Sequence, residues 1–281
     1  MNDPVHVIGA SGRSGAALCR VLGGRAVPVV RDAAKWAALG IPAHPARVAD
    51  LTSPETLRAA LADATLVVNC AHARHAGDIL AAGPVAARYV FLGSTRRFSR
   101  WADAHGDGVK AGEAALLSSG RSGVILHPTM IYGAQGEDNV QRLAALMRRL
   151  PLLPLPGGGH NLVQPIHQSD LTRAILSALA GHGQGAIVVA GPQAVPYREF
   201  CAAIARAAGF TPRPVLPIPA GLLIAASPLT LLPGLPRIRP EEIRRLTEDK
   251  AFDIAPMRAI LGIDPISLDA GLRATFSPTG D

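Results

Sequence analysis

The stretch "VHVIGASGRSG", residues 5–15, decides how this chain is read. A short run rich in valine and isoleucine meets three glycines spaced G-x-x-G-x-x-G, and a helical pattern opens directly after them. In that setting Gly9 permits a tight turn, Gly12 lets backbone N–H groups approach a pyrophosphate, and Gly15 lets the helix pack close to the strand. The helix N-terminus adds the positive end of its dipole. Three glycines alone would be weak evidence. Placed between a strand and a helix, they predict a dinucleotide-binding unit.

Outward from this loop the first half alternates β-branched apolar runs with helical stretches, the pattern of βαβ units on a parallel sheet. The strands expected are 5–8, 26–30, 43–48, 65–69, 89–92 and 123–126, with helices at 14–22, 33–39, 54–62, 76–82 and 109–118. Pro54 behind Thr52 and Ser53 marks a helix start. The fold class expected is α/β, with a doubly wound parallel sheet. Beyond Gly133 a helix is expected over 138–149, then an irregular Pro- and Gly-rich loop, "PLLPLPGGGHNLVQP" (151–165). A helix at 169–179, a strand at 186–189 returning to the main sheet, and a helix at 197–208 follow.

The 281 residues suit one large domain with a smaller satellite, and 48% hydrophobic residues with 4% aromatics make Ala, Leu, Val and Ile the packing material. Cys19, Cys70 and Cys201 are too scattered for a disulfide framework or a zinc site, and His72 and His75 lack a third ligand, so no metal is expected. A cytoplasmic location without a secretory signal is the expectation. The net charge of +7 favours anionic partners. The basic residues are scattered and no aromatic-and-basic platform is visible, so nucleic acid is not among the partners expected.

The cofactor is narrowed by two arginines. Arg31 stands at the end of the second strand, where an acidic residue would bind a ribose 2′-hydroxyl, and Arg13 lies in the glycine loop. Together they suit a 2′-phosphate and favour NADP, while Asp32, one residue on, keeps NAD open as the alternative. Asp50 follows the third strand, where it could meet the adenine edge, and Asn69, Cys70 and Ala71 follow the fourth at the rim of the cleft.

GASGRSG, the Asp50–Leu51 pair, VVNCAH (67–72), FLGST (91–95) and HPTMIYG (127–133) together resemble the extended and atypical short-chain dehydrogenase/reductase superfamily. NVQRL (139–143), PGGG (156–159), VQPIHQSDLTRAI (163–175) and LTEDKAFDIAPMRAILGI (246–263) extend the resemblance to its nucleoside-diphosphate-sugar epimerase, dehydratase and reductase group. The resemblance covers nearly the whole chain. It implies a Rossmann-type domain over 1–133 and 165–192, with a smaller substrate-binding region over 134–164 and 193–281. The cofactor residues it implies are Gly9, Ser11, Gly12, Arg13, Ser14, Gly15, Arg31, Asp50, Leu51, Asn69, Cys70, Ala71 and Pro128. On the substrate side it implies Tyr132, Asn139, Arg142, Gln164 and His167, with Asn139 and Arg142 otherwise solvated helix residues.

A superfamily enzyme of this kind carries a Ser or Thr after the fifth strand and Tyr-x-x-x-Lys on the next helix; the hydroxyl orients a substrate oxygen and the tyrosine moves a proton. Ser94 and Thr95 fill the first role, and Lys110 lies on the right helix, but four residues before it stands Gly106. Aligned instead on Glu113, the lysine position becomes Val109 and the tyrosine position His105. His105 as proton donor, Lys110 as ribose ligand, and a nucleotide site without catalysis therefore all stay open. The activity expected is NADP-dependent reduction of a keto-sugar, nucleotide-linked or polyprenyl-diphosphate-linked, in polysaccharide or O-antigen synthesis. A redox-neutral epimerase or dehydratase and a non-catalytic nucleotide-binding scaffold are the rivals. Residues 214–236 hold six prolines and no charge, with arginines on both flanks. They cover a cleft or dip into a membrane surface, which would place the protein on the inner face of the cell membrane. A dimer stays open.

Overall fold

A computed structural model of the chain describes residues 3–133, 139–226 and 240–277. Strand β1 (Val5–Ile8) leads into α1 (Arg13–Leu22), and the alternation continues as β2 (Ala26–Val30), α2 (Ala33–Ala37), β3 (Arg47–Val48), α3 (Pro54–Leu61), β4 (Leu66–Asn69), α4 (Ala76–Ala82), β5 (Arg88–Leu92), α5 (Ala104–Ser118) and β6 (Gly123–Pro128). Then come β7 (Ile131–Tyr132), α6 (Asn139–Arg149), β8 (Leu153–Pro156), β9 (Leu162–Val163), β10 (Ile166–His167), α7 (Gln168–Leu179) and β11 (Gly185–Val189). The chain closes with β12 (Val195–Pro196), α8 (Tyr197–Ala207), β13 (Val215–Ile218), α9 (Ala220–Ala226), α10 (Pro240–Arg245), α11 (Ala255–Leu261) and α12 (Leu268–Phe276).

Seven strands form one parallel sheet in the order β11-β6-β5-β4-β1-β2-β3, so the winding reverses between β1 and β4. The α/β, doubly wound fold expected from the sequence is the fold observed. Side chains alternate across the sheet. Val5, Val7, Val124 and Leu126 pack with α1, α7 and α11 on one face; Ile8, Phe91 and Ile125 pack with α3, α4 and α5 on the other. The reversal point leaves a crevice at the carboxyl ends of β1 and β4, where ligands of such sheets sit.

A third core gathers Tyr132, Met147, Leu155, Phe200, Ile204 and Leu272 from α6, α8, α12 and their short strands. Residues 254–263, grouped by the sequence with the region 193–281, pack instead on the α7 side of the main sheet through Ile254, Met257, Leu261 and Ile263.

Three local expectations need correction. Residues 151–165 are not wholly irregular: β8 pairs in parallel with β13 in a two-stranded sheet, where Pro154 and Pro156 are tolerated because the ladder has only one partner. The strand expected over 43–48 shrinks to Arg47–Val48, since Pro42 and Pro45 carry no N–H for a ladder. Helix α5 begins at Ala104 rather than 109, capped by Asp103, whose Oδ1 accepts the Gly106 N–H at 2.7 Å. Gly112 in it admits a close neighbour: a Cβ there would stand 2.1 Å from the Ala73 carbonyl oxygen.

Asp138, expected to start α6, lies outside the described residues, as do residues 227–236 of the uncharged run and Arg237 and Arg239. Among the described residues no helix is long and apolar enough to cross a membrane.

Gln164 ties the C-terminal segment to the sheet. It is buried, its Nε2 donates to the Gly191 carbonyl at 2.8 Å, and its Oε1 accepts the Phe252 N–H at 2.7 Å. Gln164→Leu strips both backbone groups of these partners and should lower stability by about 2–4 kcal/mol. A chemical-denaturation midpoint equal to that of the parent chain would show that water takes over both bonds.

Candidate active site

The glycine turn forms first. Gly9 has φ +74°, its N–H donates to the Val29 carbonyl at 3.0 Å, and its own carbonyl accepts the Gly12 N–H at 2.9 Å. A Cβ on Gly15 would stand 2.3 Å from the Gly9 oxygen and 2.9 Å from Ala10 Cα, so only glycine lets α1 start so close to β1. Helix α1 has Gly12 at its N-cap and no side chain capping it, so Ser11, Gly12, Arg13 and Ser14 lie around an N-terminal turn that no side chain closes. That turn fits the diphosphate of a dinucleotide. Ser14 faces sideways as well, donating through Oγ to Gln168 Oε1 of α7 at 3.2 Å.

Beside the turn a cavity of about 390 Å³ opens at the carboxyl ends of the strands, lined among others by Ser11, Arg31, Lys35, Asp50, Leu51 and Ala71. Its two carboxylates are engaged locally. Asp32 Oδ1 caps α2 by accepting the Lys35 N–H at 2.9 Å, and Asp50 Oδ1 accepts the N–H and hydroxyl of Thr52 at 2.8 and 2.7 Å. Those Thr52 bonds, with smaller contributions from Arg31 and His75, hold the Asp50 carboxyl below its usual range. Lys35 was not singled out from the sequence; its signal is its place one helical turn after Arg31. At the rim, Asn69 is buried and its Oδ1 accepts the Ala71 N–H at 3.0 Å. The Cys70 thiol packs against the first core, where burial pushes its pKa up.

Across the crevice α5 shows which of two alignments the helix supports. Glu113, Val109 and His105 recur every four residues and share one face, with Glu113 and Val109 buried. Lys110 lies about 100° round from Val109; its side chain is 49% exposed and its ammonium pairs with Asp107 at 3.6 Å. Lys110 is thus not brought together with Ser94, Thr95 and His105.

The ring of His105 meets that of His72 edge to face, with centroids 4.3 Å apart. Nδ1 of His72 accepts the Arg74 N–H at 3.1 Å, which leaves the proton of the neutral ring on Nε2. Burial, then the His105 charge, lowers the His72 pKa to about 4; burial, then Arg96, lowers that of His105. Both imidazoles are uncharged at neutral pH.

Ser94 and Thr95 sit in the turn after β5. Ser94 Oγ accepts the Arg96 N–H at 3.2 Å, and Thr95 Oγ1 donates to the Pro128 carbonyl at 3.3 Å. The Ser94 N–H donates to His127 Nδ1 at 3.2 Å, while His127 Nε2 and Arg97 Nε reach the same Glu113 oxygen at 2.7 and 2.8 Å.

Past Thr95 a second cavity, of about 500 Å³, runs between that turn and residues 247–252; Phe98, Ser99, Arg100, Lys250 and Phe252 help to line it. None of the five substrate-side residues expected from the sequence lines either cavity. Tyr132 is buried in the third core, its ring 5.3 Å from that of His167, and His167 caps α7. Gln164 is spent on the strap described above, Asn139 Nδ2 donates to the Ile131 carbonyl at 2.8 Å, and Arg142 is exposed on α6. Arg100 and Lys250 went unmarked, although Lys250 falls inside the quoted LTEDK stretch. Among the described residues no group of three or more His, Cys, Asp or Glu is placed to hold a metal ion.

No protein-family model matches the sequence, and no curated protein matches it. The fold does match solved structures. An NADPH-dependent quinone oxidoreductase of Escherichia coli, QOR2, complexed with NADPH, has a TM-score of 0.73 at 18% identity, over 97% of this chain and 100% of that one. The UDP-glucuronic acid 4-epimerase of Bacillus cereus, in complex with UDP-glucuronic acid and NAD, scores 0.70 at 15% identity over 97% and 98%. MoeE5 in complex with UDP-glucose and NAD scores 0.70 at 18% identity over 97% of each chain. At these identities the likeness is one of fold.

Five histidines, His6, His72, His105, His127 and His167, have pKa values lowered chiefly by burial. In the unfolded chain they take up protons near pH 6.5, before the folded chain does, so acid favours unfolding. Above pH 6.5 they add no pH dependence; as pH falls from 6.5 toward 4, stability drops. His72→Asn should flatten part of that slope. Calorimetric melting temperatures at pH 7 and pH 5 measure it, and equal values at the two pH values would contradict the burial of these rings.

Proposed function

We propose that this chain is an NADP(H)-dependent oxidoreductase of the short-chain dehydrogenase/reductase type that reduces a ketone on a sugar carried by a nucleotide or a polyprenyl diphosphate. The observation that carries the reading is the cavity beside the glycine turn: Arg31 and Lys35 face it, while Asp32 and Asp50 are already bonded to Lys35 and Thr52. A 2′-phosphate finds two cations there, and one oxygen of each carboxylate is already committed to a local bond. The glycine turn and α1 would hold the diphosphate, with Asn69, Ala71 and Pro128 along the rest of the crevice.

When bound, the reduced cofactor supplies a hydride. The chain's own residues position the acceptor. Ser94 Oγ, already accepting from Arg96, keeps its O–H to donate to a substrate oxygen; Thr95 Oγ1, already donating to Pro128, keeps lone pairs to accept from a substrate hydroxyl. His105, neutral at working pH, offers a ring nitrogen from the place where the resemblance puts tyrosine. The substrate occupies the second cavity, on the side built from segments after Gly133. NAD(P) and UDP-sugar ligands in structures of the same fold support the cofactor and substrate class.

Attachment to a membrane surface through 214–236 fits a polyprenyl-linked substrate. Within the described part of that run, Leu216 and Leu222 are 43% and 63% exposed and no residue is charged. The rival reading, a nucleotide-binding scaffold without turnover, draws on Val109 filling the lysine position.

NADPH should bind at least about tenfold tighter than NADH, a difference of 1.4 kcal/mol, and Arg31→Ala or Lys35→Ala should erase most of that gap. Fluorescence titration of both cofactors decides it, and equal affinities would defeat the NADP assignment. NADPH consumed on addition of a 4-keto-6-deoxy amino sugar, as its UDP derivative or on polyprenyl diphosphate, identifies the reductase; binding without consumption identifies the scaffold.

A further inference from the structure

The chain has three lysines against 25 arginines. Lys35 faces the cofactor cavity, Lys110 is paired on the outer face of α5, and Lys250 lines the second cavity. In a protein that uses arginine almost everywhere, a lysine inside a cavity is a choice: its ammonium is a compact point charge, where guanidinium is a broad planar fork.

We propose that Lys250 anchors a carboxylate, so that the second cavity binds a ring compound carrying a single carboxylate group. Lys250 Nζ donates to the Arg245 carbonyl at 2.8 Å, its one hydrogen bond to a described residue, and an ammonium has three N–H groups to give. The acidic residues that line the same cavity already accept hydrogen bonds. Glu248 accepts the Ser99 hydroxyl at 2.8 Å and the Arg100 N–H at 2.9 Å, and its Oε1 lies 3.5 Å from the Arg100 guanidinium. Asp249 Oδ1 accepts the Leu162 N–H at 2.9 Å and Asn161 Nδ2 at 3.2 Å.

In the same cavity Phe98 and Phe252 lie with ring centroids 5.8 Å apart and Phe98 is 49% exposed, an apolar surface for one face of a ring. Two carboxylates in the wall oppose a second negative charge on the ligand, which selects a carboxylate over a phosphate dianion. Burial lowers the basicity of Lys250, with Glu248 working against it, and a bound carboxylate raises it. The inference deepens the functional reading and rests on it in taking this cavity as the place of the substrate's sugar ring, which then carries the carboxylate, while the diphosphate carrier stays outside the cavity.

Three lysines make the test direct. Selective 13C,15N-lysine labelling leaves every ammonium N–H in place and gives every lysine its own side-chain NMR signal, assigned with Lys250→Arg and Lys110→Arg. The labelled protein is titrated with benzoate, benzamide and phenyl phosphate, and NADPH binding is measured separately on unlabelled protein. Benzoate should shift the Lys250 signal saturably and raise its pKa, benzamide should leave it in place, and phenyl phosphate should bind at least about tenfold more weakly. A Lys250 signal that benzoate moves no more than that of Lys110, or that benzamide moves equally, overturns the carboxylate site. Phenyl phosphate binding as tightly as benzoate overturns the selectivity. Loss of the benzoate response with NADPH binding retained sinks this inference alone; a benzoate response without NADPH binding sinks the oxidoreductase reading and leaves the carboxylate site standing.

Discussion

The bond between His127 Nε2 and Glu113, 2.7 Å long and buried, is the contact around which the Ser94 end of the crevice is built. Because the Ser94 N–H donates to Nδ1, the ring must keep that nitrogen bare and carry its proton on Nε2, which then donates to Glu113. A charged imidazolium would present a proton to the Ser94 N–H and break the link. Burial, which lowers the His127 pKa, therefore works with the geometry. One side chain thus joins β6, α5 and the turn after β5, and Arg97 supplies the positive charge that the buried carboxylate needs.

The second constraint is backbone proximity. Gly15 lets α1 begin against the Gly9 carbonyl, and Gly112 lets α5 lie on the Ala73 carbonyl, each at distances that a Cβ would forbid. These approaches set the width of the crevice on its two sides. On the first side they leave α1 amides facing the diphosphate position; on the second they press His105 against His72. The same packing makes both rings neutral, so at neutral pH they offer hydrogen bonds but no charge to the crevice.

Legibility differed between the two halves of the site. The cofactor half is local: the turn, Arg31, Asp50 and Asn69 each follow a strand within a few residues, so period and spacing place them. Lys35 escaped only because a single helical turn had to be added. The half beyond Thr95 is not local. Thr95 faces a cavity whose other wall is Lys250 and Phe252, some 150 residues away, and those come into place through Gln164 and Glu248. The resemblance marked Tyr132 and His167 as substrate ligands, while in the structure Tyr132 lies in the third core and His167 caps α7.

By itself, the sequence determined the alternating βαβ order, the parallel doubly wound sheet and the glycine turn, because strand and helix periods and turn chemistry are written within ten or so residues. It also determined that no Tyr-x-x-x-Lys pair stands on α5. Only the tertiary structure decided that α5 starts at Ala104, that Lys110 faces outward, and that Lys250 faces inward. Those outcomes depend on helix phase against a neighbouring backbone and on hydrogen bonds between distant segments, and neither leaves a periodic trace in the chain.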